Sequence, residues 1–83
     1  MINTLNIANQ EHRRVIQSLA EYASGRRSSI IAPNYMENIE LRRIVHGIAD
    51  SKRTGKSAPS TDKVHDVETK RVLDSIITEI GSQ

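Results

Sequence analysis

The stretch that decides the fold runs from Asn34 to Gly55 and reads NYMENIELRRIVHGIADSKRTG. Pro33 precedes it, Asn34 suits a helix N-cap, and Glu37 stands three residues later, as in a capping box. At 100° per residue the apolar side chains fall on two sides of this helix. The main stripe is Leu41, Ile44, Val45 and Ile48, and the opposite side is Met36 and Ile39. A helix that is apolar on two sides is expected to need two packing partners.

Two further amphipathic helices flank this stretch. The pattern predicts helices over about residues 7–24, 35–52 and 61–80, all within one domain that spans residues 1–83. Gly25 and Gly81 stand where helix C-caps are expected, and Ser60 suits the N-cap of helix 3. Gly47 lies inside helix 2, where a close approach by another helix would explain it. The fold class is therefore all-α, with a hairpin of helices 2 and 3 and helix 1 packed across it.

The composition predicts self-association. The chain has 83 residues, no Phe, no Trp, no Cys and only two Tyr. Such a chain has a thin core and no disulfide to support it, and oligomerisation is a common remedy. Helix 3 carries Val64 and Val67 away from its main apolar stripe, much as helix 2 carries Met36 and Ile39. These four residues are the predicted interface of a homo-oligomer, and no internal repeat or heptad of useful length is expected.

Charge and hydropathy favour a cytoplasmic protein. The net charge is +2 and the pI is near 9.3, with both signs well mixed along the chain. The longest apolar run, which begins at Ile30, is far shorter than the roughly 18 residues that a membrane span requires. The first residues lack the basic and apolar segments of a signal peptide. We expect no membrane partner.

The sequence contains no complete catalytic or metal-binding motif. Gly55-Lys56-Ser57 resembles the end of a phosphate-binding loop, but Asp50 stands where the first glycine of that motif is needed. The histidines, one in each predicted helix, show no spacing that places two metal ligands on one face. No nucleophile stands beside an oriented base. The sequence predicts no catalytic residue, no metal site and no cofactor, so the protein is expected not to be an enzyme.

Cations in the two connections form a candidate anion site. The residues are Arg26, Arg27, Lys52, Arg53 and Lys56. Because they lie in or beside connections, they can converge at one end of a bundle and hold a small anionic ligand. The alternative is that they complement the negative C-terminal ends of helices 1 and 2.

The resulting interpretation is a small regulatory or inhibitory protein that binds a partner, either a protein or a small anionic ligand, as a homo-oligomer. Compact cysteine-free helical chains of this kind are familiar among small bacterial and phage-encoded regulators. The alternative is a nucleic-acid-binding transcriptional, plasmid or phage regulator that uses the basic pairs Arg13-Arg14 and Arg42-Arg43. A helix-turn-helix is disfavoured because the predicted connections are longer than its short turn.

Overall fold

The computed structural model describes residues 3–82, except for the side chain of Tyr35. The described part is all-helical and contains no strand. It consists of α1 (Gln10–Ala23), a short 3₁₀ turn (Pro33–Tyr35), α2 (Ile39–Thr54) and α3 (Val67–Gly81). Each helix contacts the other two. The predicted three-helix fold class is confirmed. None of the helices in residues 3–82 has the length and apolar character needed to cross a lipid bilayer.

All three helices begin later than the sequence pattern predicts, because a capped turn precedes each one. Asn9, Asn38 and Asp66 are the N-caps, and each accepts a hydrogen bond from the backbone N–H three residues on. Asn34 and Ser60 are therefore not N-caps. Pro33 instead opens the 3₁₀ turn, and Ser60 uses its hydroxyl to accept from the N–H of Asp62 at 3.1 Å. An asparagine or serine caps a helix only where the chain that follows it is helical.

The three turn-helix segments share a pattern that the sequence analysis did not recognise. Aligned at spacings of 29 and 28 residues, the segments at positions 3–16, 32–45 and 60–73 read NTLNIANQEHRRVI, APNYMENIELRRIV and STDKVHDVETKRVL. Each segment has an N-cap Asn or Asp, a Glu at the second helical position, a basic pair and two apolar residues. The expectation of no internal repeat was wrong. Here we call residues 4–23, 33–54 and 61–81 units 1, 2 and 3.

The structure repeats along with the sequence. In every unit a backbone N–H bonds the carbonyl three residues earlier, just before the N-cap: Ile7 to Thr4, Met36 to Pro33 and Val64 to Thr61, at 3.0–3.1 Å. The three acceptor residues are all buried. Three equivalent positions on each helix form the centre of the core, and none of these side chains is more than 3% exposed: Val15, Ile16, Leu19, Ile44, Val45, Ile48, Val72, Leu73 and Ile76. The three units thus bury one shared core, as stacked repeats do.

The predicted hairpin of helices 2 and 3 is not formed. The first turns of all three helices border one crevice, which His12, Asn38 and Asp66 help to line. The connection after α2 therefore returns along that helix, and Pro59 lies against Gly47 on the way. The close approach that explains Gly47 is this connection and not a helix. At the other end, Lys52 of α2 lies over the ring of Tyr22 of α1, so these two helices run in the same general direction.

Glycine ends α1 as expected, it also ends α2 where no glycine cap was predicted, and α3 differs. Gly25 and Gly55 have φ values of 85° and 78°, the left-handed conformation that favours glycine at a helix end. Gly81, by contrast, is the last residue of α3, and Ser82 is the C-cap. The hydroxyl of Ser82 donates to the carbonyl of Thr78 at 2.9 Å, which satisfies one of the last free carbonyls.

Candidate interaction surface

Three large apolar side chains in the described part of the chain are well exposed, and all lie at the end where the helices begin. Leu5 is 73% exposed, Ile39 is 64% exposed and Val67 is 79% exposed. Ile39 and Val67 are the first residues of α2 and α3. Leu5 is next to Asn6, whose side chain lies close enough to Glu68 in the first turn of α3 to lower the pKa of that carboxyl slightly. Leu5 also borders an open groove of about 680 Å³ along the first half of α1.

Single exposed apolar residues are ordinary on protein surfaces. The three units, however, show which positions the fold itself requires to be apolar. Unit 1 has Gln10 where units 2 and 3 have Ile39 and Val67, and it begins its helix equally well. The positions equivalent to Leu5 are Asn34 and Asp62. The fold therefore tolerates a polar residue at each of these places, and the exposed apolar residues need another explanation.

Charged side chains surround these apolar residues. Each helix carries a Glu at its second position and an Arg at its fifth, which are Glu11 and Arg14, Glu40 and Arg43, and Glu68 and Arg71. Glu68 and Arg71 form an ion pair with each other. The other four have no ion-pair partner among residues 3–82. We define the helix-start rim as Leu5, Ile39 and Val67 together with Glu11, Arg14, Glu40 and Arg43.

The rim includes two of the four residues predicted as an interface. Ile39 and Val67 are exposed, as an interface requires. Met36 is only 1% exposed, because it precedes α2 in an extended conformation and packs into the core of its own chain. Val64 is half-buried against the same core. The four predicted residues therefore do not form one exposed face in this chain.

The basic pairs have divided roles. Arg13 donates from Nε to the carbonyl of Ile7 at 3.0 Å. Arg42, at the equivalent position of unit 2, donates from Nη2 to the carbonyl of Met36. These two guanidinium groups hold the turn that precedes their own helix. Their neighbours Arg14 and Arg43 are exposed and face solvent. Of the four arginines proposed for nucleic acid, two are therefore engaged with the protein backbone.

The crevice between the helix starts has a volume of about 190 Å³, and polar residues dominate its lining: His12, Asn38, Leu41, Lys63, Val64, His65, Asp66 and Thr69. The structure thus brings His12 and His65 to one crevice, although their spacing in the sequence did not indicate it. Among residues 3–82, no group of three or more His, Cys, Asp or Glu side chains is placed to hold a metal ion.

Two carboxylates at the start of α3 have lowered pKa values. Hydrogen bonds from the side chain and backbone of Thr69 lower the pKa of Asp66, and His12 adds a smaller effect of the same sign. The pKa of Glu68 is lowered mainly by its hydrogen bond from Arg71. Both groups therefore stay charged at neutral pH, which is the form that suits the positive end of a helix.

The predicted anion site lies at the opposite end of the bundle. We call Arg26, Arg27, Lys52, Arg53 and Lys56 the basic end. Arg27 pairs with Glu21 at 3.7 Å, and Arg53 pairs with Asp50 at 2.6 Å. The Nζ of Lys52 lies 5.7 Å from the centre of the Tyr22 ring, so the C-terminal ends of α1 and α2 are neighbours. Arg26 and Lys56 are exposed. Arg27 and Arg53 are thus paired within the chain.

Sequence reasoning missed Leu5 and Glu40 as surface candidates, and it considered Arg43 only for binding nucleic acid. The signal that identifies them is the repeat itself, since aligning the units separates residues that every unit shares from residues that differ. The chain matches no protein-family model, no curated protein sequence and no solved structure.

Proposed function

We propose that this chain is a small non-enzymatic regulatory or inhibitory protein that acts by binding a partner as a homo-oligomer. One observation carries the proposal. Ile39 is an exposed apolar residue at a position where unit 1 has Gln10, so the apolar character is not needed for folding. Together with Leu5 and Val67, Ile39 places exposed apolar surface at one end of the bundle, and such a grouping suits a binding surface.

The partner that the homo-oligomer regulates is proposed to be anionic, either an acidic protein surface or a small anion. The basic end supports this part of the proposal. Arg26 and Lys56 are exposed beside the neighbouring ends of α1 and α2, where Lys52 also lies. Since Arg27 and Arg53 are paired with carboxylates, a ligand there would contact mainly Arg26 and Lys56. Guanidinium and ammonium groups together bind carboxylate and phosphate oxygens.

Native mass spectrometry of the protein, taken from cells without a denaturing step, tests the proposal. We expect a mass that is a multiple of the 9.3 kDa chain. A retained small anion would add mass to it and identify the ligand directly. A bare monomer at all protein concentrations would contradict the homo-oligomer.

A titration with inorganic phosphate, followed by amide NMR shifts, tests the basic end separately. We expect saturable shifts at Arg26 and Lys56 that disappear in an Arg26→Gln, Lys56→Gln variant. The control variant is Arg14→Gln, because it removes an exposed cation at the other end of the bundle. Shifts that are equal in all three proteins would contradict a site at the basic end.

The nucleic-acid alternative makes a distinct prediction. Binding to DNA through phosphate contacts should weaken with a log–log slope of roughly 0.9 per contact as salt rises. A protein interface built on apolar residues depends little on salt. Measuring DNA binding by fluorescence anisotropy at several salt concentrations separates the two functions. Submicromolar binding with a steep slope would favour the alternative.

A further inference from the structure

The helix-start rim combines apolar and charged residues in a self-complementary way. Glu40 and Arg43 are separated by three positions on α2 and have no ion-pair partner among the described residues of the chain. The equivalent residues of unit 3, Glu68 and Arg71, do pair with each other. The same spacing therefore allows an ion pair within one helix. In unit 2 the two charged side chains do not pair, and they lie close to the exposed side chain of Ile39.

We propose that the occupant of the helix-start rim is a second copy of this chain, related by a twofold axis. In such a dimer Ile39 and Val67 are the apolar contacts, and Glu40 and Arg43 of one copy pair with Arg43 and Glu40 of the other. The inference rests on the proposed homo-oligomer and adds where the copies meet and how they are related.

A twofold axis follows from the signs of the free charges. In a twofold interface the same patch faces itself, so every contact between two different residues occurs twice. A patch with only acidic residues would repel its own copy. A patch that offers one free acid and one free base can satisfy both when it meets itself, and it contributes specificity as well as attraction. Glu11 and Arg14 offer a second free acid and base on the same rim.

A double variant, Ile39→Gln with Val67→Gln, tests the apolar contacts. Glutamine is chosen because Gln10 is the first residue of the helix in unit 1. We therefore expect normal helix content and an unchanged core. Sedimentation equilibrium should show the wild type as a dimer, with twice the 9.3 kDa chain mass. The variant should have a dissociation constant at least about tenfold higher, because two apolar contacts are lost.

The charge pairs are tested by reversal and exchange. Glu40→Arg and Arg43→Glu should each weaken the dimer, because each variant juxtaposes like charges across the twofold axis. The combined variant exchanges the two signs and restores the pairs, so its dissociation constant should return to within about threefold of the wild type. A purely local role in α2 would not produce weakening and recovery in the mass of the assembly.

A charge reversal at the basic end is the matched control. Arg53→Glu changes an exposed arginine of the same helix at its other end and should leave the dimer unchanged.

The oligomeric states of the wild type and the variants decide between the possible arrangements. A wild-type dimer that all rim variants leave intact, or that only Arg53→Glu dissociates, would overturn this interface but leave the proposed homo-oligomer standing. A closed trimer would overturn the twofold arrangement. A wild type that stays monomeric up to about millimolar concentration, well above useful affinities, would overturn both this inference and the homo-oligomer.

Discussion

The hydroxyl of Thr61 donates a 2.6 Å hydrogen bond to Oδ1 of Asp74, 13 residues further along the chain. Thr4 makes the equivalent bond in unit 1, to Oε1 of Gln17 and also across 13 residues. In both units a buried threonine before the helix is thus tied to the eighth residue of its own helix. These bonds join the turn to the helix in units 1 and 3.

Removing the Thr61 hydroxyl should affect both stability and the acidity of its partner. The hydrogen bond from Thr61 is the main cause of the lowered pKa of Asp74, and Lys70 lowers it further. We expect Thr61→Val to reduce the free energy of unfolding by about 1 kcal/mol. The pKa of Asp74 should rise, as measured by NMR titration of its carboxyl carbon. Thr61→Ser keeps the hydroxyl and is the control. An unchanged pKa in Thr61→Val would contradict the assignment.

Asp66 should make stability depend on pH in the acid range. Its pKa in the folded protein lies below the ordinary value of 3.8 because Thr69 donates to the carboxylate. A lowered folded pKa means that this contribution to stability is fully present above the unfolded pKa and is lost as pH falls through the folded pKa. Asp66→Asn replaces the cap with the residue that units 1 and 2 use. We expect it to flatten the stability curve below roughly pH 4, measured by urea unfolding. A steep acid limb identical to that of the wild type would contradict this role.

Gly47 should resist replacement by alanine, although alanine is the better helix former by about 1 kcal/mol. A Cβ at this position would lie 2.8 Å from Cγ of Pro59, which is a rigid ring atom. We expect Gly47→Ala to destabilise the protein by about 1 kcal/mol or more in thermal or urea unfolding.

The control for this prediction is the same substitution in a Pro59→Ala background. The Cβ of residue 59 is 3.5 Å away, at ordinary contact distance, so the clash disappears. Gly47→Ala should then be stabilising. Stabilisation by Gly47→Ala in the wild type would show that the connection after α2 moves freely.

Arg13 and Arg14 offer a comparison between neighbouring residues. Arg13 donates to the carbonyl of Ile7, whereas Arg14 has no ion-pair partner in the described part of the chain. Arg13→Met should therefore cost about 1 kcal/mol of unfolding free energy, and Arg14→Met less than about 0.5 kcal/mol. Urea unfolding at low protein concentration measures both. Equal losses would show that the bond to Ile7 does not stabilise the turn.

The sequence alone was enough to predict the three helices and the side that α2 buries. Leu41, Ile44, Val45 and Ile48 recur at helical spacing, and all four are buried. This prediction works because burial of apolar side chains drives helix packing and the period of the helix is fixed. The left-handed helix end at Gly25 was equally accessible, since few other residues adopt that conformation readily.

The candidate surface was predicted only in part. Ile39 and Val67 were selected from their positions on the helical wheel, and they are exposed. Met36 was selected by the same rule and lies in the core, because the helix that placed it on an outer side begins three residues later. A helical wheel has no meaning for a residue outside the helix.

The tertiary structure alone decided where the helices begin and how they run. Asn34 and Asn38 are chemically equal candidates for a cap. The 3₁₀ turn from Pro33 to Tyr35 and the extended backbone at Met36 bury Pro33 and Met36, and they leave Asn38 to cap α2. The directions of α2 and α3 depend on a connection that packs along Gly47 instead of turning sharply. Local sequence specifies which residues prefer to be helical or buried, but only the competition among distant segments for one small core decides which of those preferences are satisfied.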